Sequence, residues 1–296
     1  MIRRLSLASL RPLRALAIIP ASFAVASAAE TSPASAPATP DKSAYTLFTP
    51  TPRAEMRELS TDRPDQTESP YTVDAGHWQF EFDFANYTYD DEAGVLTRTL
   101  NVAPVNVKLG LTNDTDIQFV FDNYSTERVR TAGITTTTRD WGDLTIRVKH
   151  NAWGNDGGDT AFAAMPFVKV PLQIGDAGND LVEGGLILPL AVALPSGWGL
   201  GLMTEFDLLA DATGNDRHFE WVNSITVARD LTSRLGGYIE FFSAHSYESG
   251  AGWLAQADVG ITYALNADAQ LDCGCNVGVT RNAPDVQPFI GLTLRY

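Results

Sequence analysis

The sequence is poor in positive charge. Its 296 residues contain 21 lysines and arginines against 36 aspartates and glutamates, which gives a formal net charge of -15. Because nucleic-acid binding needs a lysine- and arginine-rich surface that contacts phosphates, this balance argues against a nucleic-acid partner. Charged residues make up only 19% of the chain, while 24 glycines accompany short runs of valine, threonine and aromatic residues. That composition favours strands joined by many turns.

Cysteine is almost absent, since the chain contains only two. Cys273 and Cys275 lie two positions apart in a predicted strand, so both side chains point to its apolar face. Nothing nearby supplies histidine or further cysteine at a spacing typical of metal ligands, and a disulfide between positions i and i+2 of a strand would be strained. We predict no metal and no cofactor and interpret the pair as small apolar side chains. A metal or redox role for this CxC pair is the alternative.

Long apolar runs are also missing. Residues 1–29 combine four arginines with the short apolar stretch ALAIIPASFAVASAA, which is the pattern of an export signal. An amino-terminal membrane anchor is the alternative, but the stretch is shorter than the roughly 20 residues that a spanning helix needs. No other stretch resembles such a helix. The sequence therefore predicts an exported protein in which any membrane insertion uses strands.

Residues 30–59 are rich in proline, alanine, serine and threonine. Such a segment contains too few large apolar groups to offset its ordering entropy. We therefore expect a flexible leader on the periplasmic side.

From residue 76 onward, polar and apolar residues alternate with period two. Trp78, Phe80 and Phe82 alternate with Gln79 and Glu81, and the same pattern recurs in twelve segments: 76–90, 97–111, 115–129, 141–153, 160–173, 182–194, 197–211, 217–229, 233–247, 251–265, 268–281 and 285–296. Tight connections alternate with longer polar ones such as RTAGITTTTRD and IGDAGNDL. Strands of this length, in even number, predict an all-β protein with a transmembrane antiparallel β-barrel of about 12 strands over residues 76–296.

The carboxyl-terminal segment PFIGLTLRY ends in the aromatic residue Tyr296. Many outer-membrane barrels end in this way, and the pattern resembles the signal that their assembly machinery reads. We therefore expect two partners, the outer-membrane bilayer of a diderm bacterium and its assembly machinery. An exported soluble β-sandwich is the alternative, because it also shows alternation and turns.

The charged residues of the polar face are predicted to line the inner wall of the barrel, because a lysine or arginine that faces lipid costs about 2–4 kcal/mol. The candidates are Glu81, Asp83, Lys108, Asp122, Asp143, Arg147, Lys149, Lys169, Glu183, Glu205, Asp207, Glu220, Glu240, Asp258, Asp272 and Arg295. Two interpretations stay open. The acid excess favours a narrow channel for cations or neutral polar solutes, whereas paired acids and bases could instead fill a small barrel.

The segment STDRPDQTESP, residues 60–70, contains charges and prolines but no apolar pattern. Pro64 and Pro70 exclude a continuous helix and a full strand ladder. Asp62, Arg63, Asp65 and Glu68 carry charges that could meet those of the inner wall. We predict that residues 60–75 fold into or across the periplasmic opening as a plug or latch, and a solvated linker is the alternative.

No catalytic residue is predicted. His245, next to Ser243 and Ser246, is the one candidate for a phospholipase-like site, but the alternation gives it no orienting partner. An outer-membrane enzyme is therefore the least favoured interpretation.

Several segments resemble a known family. They are TPRAEMRELSTDRPDQTESPYTVDAGHWQFE, PVNVKLGLTNDTDIQF, GDLTIRVKHNAWG, FVKVPL, WVNSITVARDLTSRLGGYIEFF and YALNADAQLDCGCNVGVTRNAPDVQPFIGLTLRY, which together span about residues 51–296. The family is known as "Putative MetA-pathway of phenol degradation" and is often labelled "transporter". The resemblance implies an outer-membrane barrel that passes small solutes, with aromatic catabolites suggested by the name, and the cysteine pair departs from the family pattern. A closed structural or adhesive barrel is the competing expectation.

Overall fold

The computed structural model describes residues 41–172, 181–211 and 216–296. The predicted signal (1–29), the leader up to residue 40 and most of the connection IGDAGNDL lie outside these residues. Within them, two short 3-10 turns, Arg53–Glu55 and Pro195–Gly197, accompany a fold built from β-strands. No helix of the described residues is long and apolar enough to cross a membrane.

Fifteen strands follow one another along the chain. They are β1 (Trp78–Glu92), β2 (Val95–Val102), β3 (Val105–Thr112), β4 (Thr115–Phe121), β5 (Tyr124–Thr131), β6 (Ile134–Trp141), β7 (Leu144–Trp153), β8 (Thr160–Val170), β9 (Glu183–Leu194), β10 (Trp198–Ala210), β11 (Arg217–Asp230), β12 (Leu235–Ser246), β13 (Trp253–Asn266), β14 (Ala269–Gly278) and β15 (Val286–Arg295).

The sheet closes on itself. The order is β15-β14-β13-β12-β11-β10-β9-β8-β7-β4-β3-β1-β2-β5-β6, and β15 also pairs with β1, from Gln79↔Arg295 to Tyr89↔Val286. Short breaks divide three barrel strands into β2 and β3, β4 and β5, and β6 and β7. The result is a closed antiparallel barrel of twelve strands, which confirms the predicted fold class.

One predicted loop is wrong. The stretch RTAGITTTTRD, expected as a loop before a strand beginning at 141, is a hairpin in which β5 and β6 pair from Tyr124↔Trp141 to Thr131↔Ile134. Ala132 and Gly133 form its turn, both with positive φ. Threonine favours extended backbone because its branched side chain is restricted there. The threonines of β6 therefore continue the ladder instead of ending it.

The two faces of the barrel wall differ in polarity. Large apolar side chains are exposed on the outside, among them Phe84, Phe206, Phe219, Ile225, Ile239, Phe241, Val259, Ile261, Val277 and Ile290. The buried inner side chains are mostly polar, among them Gln79, Glu81, Asp83, Lys108, Asp116, Gln118, Lys149, Asp207, Glu240, Gln256, Asp258 and Asp272. An apolar outer wall around a polar interior is the arrangement of a barrel that lies in a lipid bilayer.

The barrel has two distinct ends. The near end carries the first residue of β1, Tyr296 and the connections 113–114, 231–234 and 267–268, while the far end carries the connections 93–94, 132–133 and 247–252. Trp78, Trp153 and Trp198 are exposed at the near end, and Trp253 is exposed at the far end. Aromatic side chains at these positions suit the two interfaces of a bilayer.

Candidate functional site

Residues 60–75, called the interior loop below, lie inside the barrel. Polar groups of the loop contact inward-facing side chains of β1, β3, β4, β7, β11, β12, β13 and β14. The two limbs of the loop meet where the hydroxyls of Ser60 and Ser69 lie 2.8 Å apart. The Ser69 amide also donates to Asp62 Oδ1 at 3.0 Å. The chain thus enters the interior, turns and returns toward the near end.

Asp62 accepts hydrogen bonds from two buried lysines. Lys108 Nζ lies 2.5 Å from Asp62 Oδ2, and Lys149 Nζ lies 2.6 Å from Asp62 Oδ1. Lys108 also contacts Glu81 Oε1 at 2.5 Å. All four side chains are at most 5% exposed. Burial of an unpaired charge is costly. The loop carboxylate therefore stabilises the two buried lysines of β3 and β7, and the lysines stabilise the carboxylate.

Arg63 connects the loop to β1 and β14, the strands on either side of β15. Its Nη2 atom lies 2.7 Å from Asp83 Oδ1 on β1 and 2.6 Å from Asp272 Oδ1 on β14. A Cβ atom at Gly291 would lie 2.2 Å from the same Nη2. The glycine on β15 therefore leaves room for the guanidinium between two carboxylates.

The tip of the loop is held by carboxylates of β12 and β13. The amides of Gln66 and Thr67 both donate to Glu240 at 2.8 Å, and Gln66 Nε2 donates to Asp258 Oδ2 at 2.8 Å. The Thr67 hydroxyl contacts the Ser224 hydroxyl of β11 at 2.6 Å. These bonds satisfy backbone donors that would otherwise be buried without partners.

The returning limb contacts β7. Arg147 Nη1 lies 2.5 Å from Glu68 Oε1, Asn151 Nδ2 donates to the Pro70 carbonyl at 2.9 Å, and Lys149 Nζ donates to the Tyr71 carbonyl at 3.3 Å. Three side chains of one strand thus follow the limb in steps of two residues, which is the inward periodicity of a strand.

The loop leaves the interior along β3 and β4. The Val73 amide donates to Asp116 Oδ2 at 3.0 Å, and Ala75 forms a parallel bridge with Gly110. A Cβ atom at Gly110 would lie 2.1 Å from the Asp74 carbonyl oxygen. Only glycine allows the two backbones to approach so closely.

The segment that precedes the loop also makes fixed contacts at the near end. Lys42 Nζ and Arg57 Nη1 lie 2.9 Å and 3.1 Å from Asp156 Oδ1 in the β7–β8 connection. Arg57 also donates to Asn113 and to the Thr72 carbonyl. Composition predicted a flexible leader up to residue 59, but these buried cations hold residues 42–57 against the near end.

Asp156 is the carboxylate at the centre of this contact. Burial acts to raise the pKa of Asp156, but hydrogen bonds from Asn113 and Lys42 and the charge of Arg57 lower it below its ordinary value. The ionised form is therefore the one that the contact stabilises.

Most of the remaining predicted wall residues have their ion-pair partners on the wall or at the near end. Lys169 Nζ on β8 contacts Glu183 Oε2 at 2.7 Å and Asp143 Oδ2 at 3.7 Å. Arg295 contacts Asp268 at 3.0 Å and Asp74, at the end of the interior loop, at 3.7 Å. Asp122 borders a cavity beside the break between β4 and β5.

A second group of acids lies on the inner face of β10 and β11. Glu205 and Asp207 follow one another at an interval of two on β10, and Asp207 pairs in register with Glu220 on β11. Among the described residues, no lysine or arginine forms an ion pair with these three carboxylates. The wall between β9 and β11 is therefore more acidic than the wall around the loop.

Cavities lie on both sides of the loop. Pro64 and Asp65 border a cavity of about 380 Å³ toward the near-end residues Gly197 and Gln270. Asp62 and Glu68 border a smaller cavity of about 150 Å³ that is also lined by Asp83, Pro104 and Arg147. Residues 62–68 therefore lie between these two cavities.

Several contact residues were not predicted from the sequence. Gln66 and Thr67 of the loop and the wall residues Asp116, Asn151 and Asn155 all bond across the interior. Asp116 and Asn151 share the inward parity of predicted neighbours, so extending that parity to every polar residue would have found them. Asn155 follows β7 in a connection, where no periodicity exists.

The two alternative sites considered from the sequence are the histidine at 245 with its neighbouring serines and the cysteine pair, and the described contacts of neither form a catalytic arrangement. The His245 ring is exposed and lies 4.9 Å from the Tyr247 ring, while the Ser243 hydroxyl accepts a hydrogen bond from Trp253 Nε1 at 2.8 Å. Cys273 and Cys275 are free thiols, and Cys273 pairs in register with Ile261 and Ile290. The two cysteines lie on the apolar outer face.

The comparisons with known proteins agree with this architecture. The family model described as "Putative MetA-pathway of phenol degradation" matches residues 61–296. The COG4313 outer membrane channel from Pseudomonas putida F1 is similar with a TM-score of 0.59 at 12% identity, over 80% of this chain and 100% of that chain. The P. putida toluene transporter TodX matches with a TM-score of 0.38 at 9% identity, over 74% of this chain and 87% of that chain. No curated protein matches the sequence. The likeness to the COG4313 channel shows that the chain has the fold of an outer-membrane barrel.

Proposed function

The chain belongs to the family described as "Putative MetA-pathway of phenol degradation", and from this membership we propose that it is a passive outer-membrane channel for small solutes. The interior loop is its plug, at the periplasmic end. The observation that carries the proposal is the mostly polar inner wall, which surrounds a loop held by charges and hydrogen bonds. A closed apolar barrel needs no such wall, whereas a solute path does.

Charge on the wall determines which solutes pass. The acids Glu205, Asp207 and Glu220 have no ion-pairing lysine or arginine among the described residues, so the path attracts cations and disfavours anions. Small neutral molecules with a hydroxyl group can also hydrogen-bond to such a wall. The family name connects this second class to phenols, and aromatic catabolites are therefore the solutes that we propose to test first.

Ion selectivity tests the proposal. In planar bilayers under a salt gradient, we expect the protein to give a reversal potential whose sign shows that cations pass more readily than anions. The double variant Glu205→Gln/Asp207→Asn should reduce that preference, because it removes two acidic groups from the wall. The control Asp91→Asn/Glu92→Gln makes the same change at the exposed tip of β1 and should leave the potential unaltered. Absence of conductance and of liposome swelling, even after deletion of residues 60–70, would refute the channel.

A closed adhesive barrel is the second candidate, and the β5–β6 hairpin favours it. Strand β6 is the last strand in the sheet order, and the side chains from Ile134 to Thr137 are exposed. An unpaired strand edge can bind another chain by strand addition. A protein that binds cells or matrix through this hairpin but conducts no ions would support this candidate over the channel.

A further inference from the structure

Three metal-ligating side chains meet at the far end of the barrel, away from the interior loop. They are Asp211 after β10, His218 in β11 and Glu248 after β12, and one ligand atom of each lies within 4.8 Å of the other two. None of them belongs to the wall contacts described above. All three are partly buried, so water and ions can reach them.

Strand pairing brings the three residues together. His218 pairs in register with Leu209, two residues before Asp211. The Tyr247 amide donates to the Phe219 carbonyl at 2.9 Å, which extends the β11–β12 ladder by one residue and carries Glu248 to the level of His218. The site is thus fixed by backbone hydrogen bonds of two adjacent strand pairs.

The distances suit ligands of one small cation. His218 Nδ1 lies 2.8 Å from Asp211 Oδ1, and their side chains are 10% and 25% exposed. Ligand atoms bound to one tetrahedral zinc ion, at about 2.0–2.2 Å from the metal, lie roughly 3.3–3.6 Å from each other. Small side-chain movements therefore convert the hydrogen bond into two metal bonds.

The donor set selects the class of cation. Calcium and magnesium take oxygen ligands almost exclusively, whereas an imidazole nitrogen with carboxylate oxygens suits zinc and neighbouring transition metals. We propose that Asp211, His218 and Glu248 bind a divalent transition-metal ion such as Zn²⁺ at the far end of the barrel, with water completing the coordination.

The surroundings favour a cation at this position. Glu220 lies two residues beyond His218 on the same face of β11, and Asp207 lies opposite Glu220. Acids along one wall concentrate cations near it. The bound ion would also connect the ends of β10, β11 and β12, so it stabilises the far end independently of any transport.

Zinc binding to the purified, refolded full chain tests the proposal. After loading with Zn²⁺ and removal of excess metal, we expect one zinc per chain by elemental analysis. His218→Gln and Glu248→Gln should weaken Zn²⁺ binding by about 10- to 100-fold or more, as loss of metal-site partners does. The matched control is His150→Gln, because His150 lies at the near end and contacts Thr115. Heat-dependent gel migration checks that each variant is folded.

A nitrogen ligand gives an independent readout. Co²⁺ in place of Zn²⁺ should give visible absorption bands in the parent protein that disappear in His218→Gln and persist in His150→Gln. Equal zinc affinity in the parent and in His218→Gln would overturn the proposal. Stronger binding of Ca²⁺ than of Zn²⁺ would overturn the assignment to transition metals as well.

Discussion

At the scale of single residues, Asp62 connects the interior loop both to the wall and to the loop's own returning limb. It accepts from Lys108 and Lys149, which lie on separate strands, and from the Ser69 amide on the returning limb. Lys108 also forms an ion pair with Glu81, whereas Lys149 forms its ion pair with Asp62. Loss of the Asp62 charge therefore affects Lys149 most.

We predict that Asp62→Asn loosens the interior loop while the barrel stays folded. Removal of one partner of a buried ion pair costs about 3–5 kcal/mol, so amide hydrogen exchange in residues 60–72 should accelerate by about 100-fold or more. Glu58→Gln is the control, since Glu58 is exposed. Unchanged protection of the loop in Asp62→Asn would show that the charges do not hold it.

A second prediction concerns the close approach of two backbones. Gly110→Ala places a Cβ atom 2.1 Å from the Asp74 carbonyl oxygen, so the loop must move away from β3. We expect a loss of about 1–3 kcal/mol in the free energy of unfolding, as for other overpacked sites, measured by urea titration of tryptophan fluorescence. Gly199→Ala, whose nearest atom would be 3.9 Å away, should cost far less. Equal losses in both variants would contradict the account.

Charge and strand parity allow part of the site to be predicted from the sequence. Arg63 carries a positive charge beside an acid-rich wall, and both of its partners, Asp83 and Asp272, share the inward parity. Hydrogen bonds from Gln66 and Thr67 could not be predicted, because neutral polar side chains accept many partners. The cluster of Asp211, His218 and Glu248 depends on register between strands, which sequence spacing alone does not contain.

At the scale of elements, the contact of residues 42–57 with the β7–β8 connection depends on pH. The folded pKa of Asp156 lies below its ordinary value of 3.8, so the contact is at full strength above that value and is lost as the pH falls through the folded pKa. We predict that amide protection of residues 42–57 is retained at pH 6 and decreases below about pH 4.

The variant Asp156→Asn separates the effect of this carboxylate from the effects of other carboxylates that titrate in the same pH range. The variant should show weaker protection of residues 42–57 at pH 6, and its difference from the parent should shrink toward pH 3. A difference that is constant over this range would mean that the charge of Asp156 does not hold the segment.

The strands show where periodicity predicts elements and where it does not. Alternation fixed the starts of β1, β8 and β11 to within two residues, because each begins with a polar or aromatic residue that opens a regular run. It missed the β5–β6 hairpin, because the polar threonines of β6 break the apolar alternation and suggest a loop. Threonine nevertheless favours the extended backbone of a strand. Alternation also missed that residues 42–57 are held in place, since two cations in a proline-rich segment do not reveal partners more than 50 residues away.

At the scale of the whole molecule, closure of the barrel could be predicted because period-two alternation, an even strand number and long strands point to the same fold. The path of the interior loop could not be derived in the same way. Its position depends on contacts with eight strands, most of them distant in the sequence, and no local pattern encodes them. The sequence predicted a plug or latch as a hypothesis, and the structure shows where residues 60–75 lie and what they contact.

The central claim is that residues 60–75 occlude a polar path through the barrel. Single-channel conductance of a variant that lacks residues 60–70 tests it most directly, with deletion of the eleven residues 30–40 as the control of equal length. We predict that the first deletion raises the conductance above that of the parent while the control deletion leaves it unaltered, both variants showing heat-dependent gel migration of a folded barrel. Equal conductance of the parent and the variant without residues 60–70 would contradict the account.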